Sequence, residues 1–348
     1  IEQIKKIYPI INDEKILGVL CGQWGDYGLP PSKSSFAMHA SVVRHYLNGG
    51  NYPIGSSRRI AETVVEHFES MGGSLYVNAP VNKIIVSNNK AKGVKLENGD
   101  EIYAPIIVSS AGVINTFQGL LANSNKLKEK LVKINPTPSY ICLYMGLKAS
   151  HKLLQKGNTN SWVYPSYNHD NNVNNYIKNP NDKFPVMYIS FPSAKDPEFQ
   201  KKHPNISTME AIIPSPFDNY IEWQNMPWKN RGEEYEKLKE TISQRILNEV
   251  YKYIPKAESN LDYYELSTPL SVKSLANYSR GEMYGIDHGP DRFHQKWLKP
   301  KTEINNLYLT GQDILTVGVT SALFSAFATV SSILNKNILN DVLKDKNL

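Results

Sequence analysis

Cysteine is scarce in this chain of 348 residues: Cys21 and Cys142 stand in the apolar settings GVLCG and YICLYMG, outside any CxxC or His/Cys metal spacing. That excludes a disulfide framework and a cysteine-built metal site, and the two thiols are expected to be buried in a reducing compartment. Blocks of one charge are missing too. Lys+Arg number 39 against Asp+Glu 33, a formal net charge of +6 spread along the chain, and no basic run alternates with aromatics. Nucleic acid is therefore not an expected partner. The chain begins IEQIKKIYPIIND, without Met and without a basic, apolar, small-residue order, so no signal peptide is read and a fragment of a longer protein is expected. Long apolar runs are rare. Val317 to Leu334 alone approaches membrane-span length, and its four Ser, two Thr and one Gly suit a buried close-packed helix better than a span.

What is present is a globular composition, 41% hydrophobic and 21% charged, with a length that suggests about two domains. A Gly- and Pro-rich loop, GQWGDYGLPPSKSS, leads into SFAMHASVVRHYLNGG, whose apolar positions recur at helical spacing up to a Gly-Gly stop. NYPIGSSRRIAETVVEHFESMGG predicts a second loop feeding a helix, with Ile60, Val64, Val65 and Phe68 on one face. Short strands follow in SLYVN, VNKIIV, KAKGVKLENGDEIYA and PIIVSSAG, with a hairpin signal at Asn98-Gly99. From residue 115 to 269 the pattern changes. PSYICLYMGLK, SWVYP, VMYISFPS and STMEAIIPS predict strands separated by long loops, and EEYEKLKETISQRILNEVYKYIP predicts an amphipathic helix. The expected fold is α/β with α+β character: residues 1–114 and 270–348 form one discontinuous domain, and 115–269 an inserted antiparallel sheet with covering helices.

The chemistry concentrates in LYLTGQDILTVGVTSALFSAF, residues 307 to 327. A strand ends at Gly311, an acid follows at Asp313, and a run of small and apolar residues begins. A carboxylate between a strand and a helix is costly unless something hydrogen-bonds to it, so Asp313 either caps the helix or holds a ligand. The helix start offers free N–H groups and a positive dipole end, which favour developing negative charge. Gly318, Thr320, Ser321 and Ala322 would let a flat ligand reach the backbone. Elsewhere the polar residues read as structural. His39 and His45 are six apart on a helix, which is not a metal spacing, and Asp287, His288 and Asp291 read as turn formers. Arg58 and Arg59, at a helix start, read as solvent-exposed. No metal site is expected.

LTGQDILTVGVTSALFSA resembles the C-terminal flavin-binding segment of the phytoene desaturase and amine oxidase type of FAD-dependent oxidoreductases. The resemblance implies that Asp313, after Gly311, binds the ribityl chain of FAD, and that Thr316, Val317, Gly318, Val319, Thr320 and Ser321 aim a helix start at the flavin pyrimidine. Reduction adds negative charge at that end of the ring, which gives the dipole a purpose. Leu20 to Glu62 is similar to the retinol saturase branch, where Tyr52 and Gly55 would lie on the substrate side of the ring. VNAPVNKIIVSNNKAKGVKLENGDEIYAPIIVSSAG resembles the adenine-side strands, with Val81 at the adenine and Gly112 at a strand end near the cofactor. SRGEMYGIDHGPDRF resembles a substrate-side loop, and its Tyr284 is a candidate proton donor to a substrate carbon.

One element of the pattern is missing. No G-x-G-x-x-G follows an N-terminal strand, and no acid stands about twenty residues beyond one. The resemblance thus implies a partial FAD/NAD(P)-binding Rossmann-like domain, and an enzyme that saturates or desaturates a carbon–carbon double bond of an apolar isoprenoid- or retinoid-like substrate, with NAD(P)H as an available electron donor. The alternatives are a carotenoid cis-trans isomerase of the same family and a truncated, non-catalytic fragment that binds a hydrophobic ligand or partner. A cytoplasmic or peripherally membrane-associated location is expected, since such substrates are delivered from lipid.

Overall fold

The computed structural model describes residues 13–121, 125–154 and 158–344; the opening residues on which the signal-peptide reading rests lie outside them. At the N-terminal end α1 (Glu14–Leu20) starts where Asp13 accepts the Lys15 N–H at 2.7 Å, closing an orphan donor of the first turn. The glycine-rich loop then leads to α2 (Phe36–Tyr46), which buries Met38 and Val42, and to α3 (Arg58–Ser70). Arg58 and Arg59 both pair with Glu62 on the exposed side of α3.

β1 (Val81–Ser87), β2 (Lys90–Leu96) and β3 (Glu101–Tyr103) form an antiparallel meander. The Asn98-Gly99 hairpin forms as the sequence predicts, with the Leu96 N–H donating to the Asp100 carbonyl at 2.8 Å. The turn between β1 and β2 is less obvious in sequence: Asn88 and Asn89 both take the left-handed conformation, which Asn tolerates better than most residues. β4 (Ile107–Ser109) pairs in parallel with a strand two hundred residues on, β10 (Leu307–Leu309), in the register Leu307↔Ile107, Tyr308↔Val108, Leu309↔Ser109. Asn305 and Asn306 fasten this pair to the meander, through the Ala91 N–H and the Pro105 carbonyl. The SLYVN segment forms no strand, and its Leu75, Tyr76 and Val77 are exposed. A strand needs a neighbour to take its N–H and C=O groups, and none of the described residues supplies one there.

The middle of the chain builds a five-stranded antiparallel sheet from β5 (Tyr140–Leu147), β6 (Ser161–Val163), β7 (Met187–Ser190), β8 (Ser207–Pro214) and β9 (Leu261–Ser267), in the order β6-β7-β8-β5-β9. Along β8, Ser207, Met209, Ala211 and Ile213 are buried and their neighbours are not, the period-2 signature of a sheet packed on one face. α4 (Gly232–Tyr253) brings Tyr235, Ile246, Leu247 and Val250 onto the apolar core shared with β5, β7 and β8. A separate core joins Ile84, Ile107, Phe117, Ile286, Leu307 and Leu309 around the parallel pair.

The final long helix, α5 (Val319–Leu334), departs from expectation. Its composition suggests a buried, close-packed helix, yet only Ser325 and Thr329 are buried along it, while Leu323 and Phe324 stand exposed. It sits on β10 by its polar edge: Ser325 Oγ accepts the Gly311 N–H at 2.6 Å and Thr329 Oγ1 donates to the Leu309 carbonyl at 3.0 Å. These two hydrogen bonds fix its position while its apolar face has no cover among the described residues. Among them, no single helix is long and apolar enough to cross a membrane.

Candidate functional site

Asp313 is 3% exposed and does not cap α5. Its Oδ2 accepts the Val113 N–H at 2.8 Å and its Oδ1 the Ile286 N–H at 3.0 Å. The carboxylate thus joins two chain turns, the end of β4 and the loop at residues 283–288, to the end of β10. Gly285 makes this possible. It has φ 67°, and a Cβ on it would lie 2.1 Å from Asp313 Oδ1, so any side chain there would expel the carboxylate.

Arg292 locks the other side of the same loop. Its guanidinium, 4% exposed, donates to the carbonyls of Ile286, Gln312, Asp313 and Leu315 at 2.7 to 3.0 Å. Burial draws its pKa down to about 10. His288, fully buried, accepts the Val317 N–H on Nε2 at 3.0 Å and faces an Arg292 donor on the same nitrogen at 3.3 Å. With Nε2 accepting, the ring is neutral and its proton sits on Nδ1. Burial, then the Arg292 charge, lowers its pKa to about 3. Nδ1 completes no hydrogen bond, although the Tyr27 backbone lies close enough to favour the charged form slightly. His288 and Arg292 together set the approach to α5, a role that a turn-former reading of GIDHGPDRF misses. Asp287 does form a turn, accepting the Gly289 N–H at 3.1 Å.

The start of α5 is open. Gly318, at φ 97°, precedes its first turn, no side chain caps it, and Val319 and Thr320 are exposed. The first N–H groups of a helix have no partner inside it, so this end presents donors and the positive end of the dipole outward. Thr316 and Ser321 hydrogen-bond to each other at 2.7 Å beneath it. Gly112, Gly311, Asp313 and residues 316–321 are thus brought together. Val81 opens β1 in the meander and belongs to a different sheet.

Across the 283–288 loop lies a chamber of about 200 Å³ lined by Trp24, Tyr140, Trp162, Tyr188, Met283 and Tyr284, among others. The loop runs antiparallel to residues 136–139: Thr137 Oγ1 accepts the Tyr284 N–H at 2.9 Å, and the Thr137 N–H donates to the Gly285 carbonyl at 2.7 Å. Tyr284 therefore faces the chamber one residue before the Gly285 that touches Asp313. Its hydroxyl donates to the Gly25 carbonyl at 3.3 Å, and burial pushes its pKa far above the usual phenol range. The Trp162 ring lies against Gly25, where a Cβ would come within 2.4 Å of it. A second cavity, about 720 Å³ and more polar, shares Asp26, Trp162 and Tyr188 with the chamber and is also lined by Tyr52, Asn160, Ser190 and Lys195. Lys195 Nζ donates to Asn160 and Ser190 and stands 5.9 Å from the Tyr52 ring centroid. The Gly55 N–H donates to Asp196 Oδ1 at 3.1 Å, holding the Tyr-Pro turn against this cavity.

Among the described residues no group of three or more His, Cys, Asp or Glu is placed to hold a metal ion. His39 instead meets the Tyr27 hydroxyl through Nδ1 at 3.0 Å, in the core. Both cysteines are buried, and burial raises the Cys142 thiol to about 12. Sequence reasoning missed the aromatic walls Trp24, Trp162 and Tyr188, because they come from separate loops and strands. It also passed over Asp26, although GQWGDYG sets one acid between two aromatics.

No family model matches the chain. Its fold is a mixed α/β fold shared with an oxidoreductase from Methanosarcina mazei, with a TM-score of 0.61 and 14% identity over 96% of this chain and 67% of that one. In sequence it is 34% identical over 331 residues to the all-trans-retinol 13,14-reductase of Rattus norvegicus, covering 91% of this chain and 54% of that protein. It is 26% identical over 275 residues to the neurosporene-forming phytoene desaturase of Rhodobacter capsulatus, covering 76% of this chain and 49% of that protein. The chain spans about half the length of the curated relatives it matches. The retinol 13,14-reductases, prolycopene isomerases and phytoene desaturase among its relatives fit a phytoene desaturase-like family.

Proposed function

We infer that this chain supplies the ring-facing and substrate-facing parts of an FAD-dependent oxidoreductase that saturates or desaturates a carbon–carbon double bond in an apolar, isoprenoid-like substrate. The observation that carries this reading is the uncapped start of α5, held by the Asp313, His288 and Arg292 knot and separated from an aromatic chamber by one loop. Residues 1–114 and 270–348 are the cofactor side, a partial Rossmann-like domain, and 115–269 the substrate side.

The residues fit the ring half of FAD. A Cβ on Gly311 or Gly318 would meet nothing within 4 Å, so there is room beside this backbone for a flat ring. The Val319, Thr320 and Ser321 end would face the pyrimidine, with Gly112 at the neighbouring strand end. Asp313 uses one hydrogen bond on each oxygen to brace the walls, and a carboxylate has about four acceptor positions, so acceptor capacity remains for a ribityl hydroxyl. Val81 would meet the adenine. When bound, FAD supplies hydride exchange with a substrate carbon, and NAD(P)H is a suitable donor to it. The aromatic walls exclude water and align the polyene, with Tyr52, Gly55 and Tyr284 on its side of the ring. An apolar substrate of this kind arrives from a membrane surface.

The phosphates need a cradle that the described residues do not show. The unpaired edge at Val108, the exposed Leu75 to Val77 segment and the bare faces of α3 and α5 support a further parallel-sheet unit packing here. The test is to titrate the protein with FAD by flavin fluorescence, then incubate it anaerobically with reduced flavin and with retinoids or carotenoids. Saturable binding and a product differing by two hydrogens are expected. A protein that takes no flavin contradicts the reading, and isomerisation without hydrogen transfer would make it an isomerase.

A further inference from the structure

Asp26 ends the short 3-10 turn Gly22–Asp26 and is half-buried between the two cavities, lining both. It is the one carboxylic acid in either lining among the described residues. Glu210, a neighbouring acid on β8, lines neither cavity and is offset by the Lys195 charge. Asp313 holds two backbone N–H groups, and Asp196 takes the Gly55 and Glu198 N–H groups on the far side of the polar cavity. The Asp26 carboxyl makes no hydrogen bond or ion pair with any described residue. An acid without a partner, set against aromatic walls, is unfavourable as a fold element, because desolvation of its charged form is not offset by any contact. A second polar group here is also idle: Trp24, another wall of the chamber, carries a buried Nε1–H with no acceptor.

The geometry points to Asp26 as the proton donor and acceptor for the substrate carbon, a role that rests on the oxidoreductase reading above. In the saturating direction the Asp26 O–H bond breaks and a C–H bond forms at one alkene carbon, while its neighbour receives a hydride whose source is reduced flavin. The π bond is consumed, the flavin is left oxidised, and the carboxylate recovers its proton from the polar cavity on its other side. Desaturation is the reverse, with Asp26 as base. Tyr284, the sequence-based candidate, is poorly suited to this work: its hydroxyl is committed to the Gly25 carbonyl and burial holds its proton tightly. It serves instead as the wall that separates the acid from the cofactor side.

Burial raises the pKa of Asp26 to about 6, where a carboxyl can both give and take a proton near neutral pH. The titratable groups around it are the phenols of Tyr27, Tyr46, Tyr164, Tyr188 and Tyr284, with Lys195 across the polar cavity. The phenols all stay neutral in that range.

The test uses the whole chain with Asp selectively labelled at the carboxyl carbon, compared with Asp26→Asn. One carboxyl resonance titrating near pH 6 and absent from the variant is expected; an Asp26 resonance titrating near pH 4 would overturn the proposal. In parallel, the parent, Asp26→Asn and Asp26→Glu are assayed anaerobically with dithionite-reduced FAD and retinol in deuterated water. The parent should place one solvent deuterium in the product, Asp26→Asn should lose at least about 100-fold in rate with flavin binding unchanged, and Asp26→Glu should recover part of it. Rate retained within a few-fold in Asp26→Asn would refute the role of Asp26 while leaving the oxidoreductase reading intact. No turnover in the parent would refute both.

Discussion

Along β8 every second residue from Ser207 to Ile213 is buried, whereas in β4 Val108 is exposed although parallel strands are ordinarily covered on both faces. The same contrast separates two helices. α4 lays Ile246, Leu247 and Val250 on the antiparallel sheet with almost no exposure, while α5 holds β10 by Ser325 and Thr329 and leaves Leu323 and Phe324 bare. The antiparallel sheet closes its own core. The parallel pair is positioned by polar contacts, above all Asp313 and Arg292, and keeps apolar surface for something else. A two-stranded sheet is marginal alone, so the region of the parallel pair depends on hydrogen bonds where the antiparallel sheet depends on packing.

Substitutions should divide the same way. The largest loss is expected in the antiparallel sheet: Leu143→Ala, at a fully buried position of β5, should cost about 2–5 kcal/mol in denaturant unfolding. Asp313→Ala should come next, at about 2–4 kcal/mol, because it strands the Val113 and Ile286 N–H groups. It should also release flavin, and unchanged flavin absorbance after purification would count against the cofactor assignment. Asp313→Asn should lose less, since the amide oxygen still serves one of the two donors.

Asp26→Asn should act in the opposite sense. A carboxyl whose folded pKa is raised to about 6 from 3.8 binds its proton more tightly when folded. It therefore adds no penalty below about pH 4, a growing one between 4 and 6, and a full one above. The variant should be stabilised by about 1–2 kcal/mol at pH 8 and unchanged at pH 4, as thermal melts at the two pH values would show. The smallest effect belongs to the uncovered face: Phe324→Ser should shift stability by no more than about 0.5 kcal/mol. A loss comparable with Leu143→Ala would mean that α5 is already packed, erasing the contrast between the two regions.

How much of this was legible depended on whether the signal was local. The strands around Leu143 and Ile189, the Asn98-Gly99 hairpin and the helix over 232–253 follow from period and turn chemistry, and all form. LDYYELS, which becomes β9, went unread because most of its residues are polar or half-exposed and its pairing with β5 spans more than a hundred residues. SLYVN and α5 were misjudged for one reason: burial depends on what covers a segment, and composition does not report that. At the site, Asp313 stood out as an acid in an apolar context. The knot around it did not, since His288 and Arg292 act through backbone groups some twenty to thirty residues distant, and Asp26 became conspicuous once its lack of partners was visible.

The central claim is that FAD binds at the open end of α5 in the polar-braced half of the molecule, and hydrogen–deuterium exchange with and without FAD tests it most directly. Slowed exchange confined to residues 112–113, 285–288 and 311–321, with the antiparallel sheet unchanged, is the predicted result. Protection in the antiparallel sheet, or no protection at the start of α5, would contradict it.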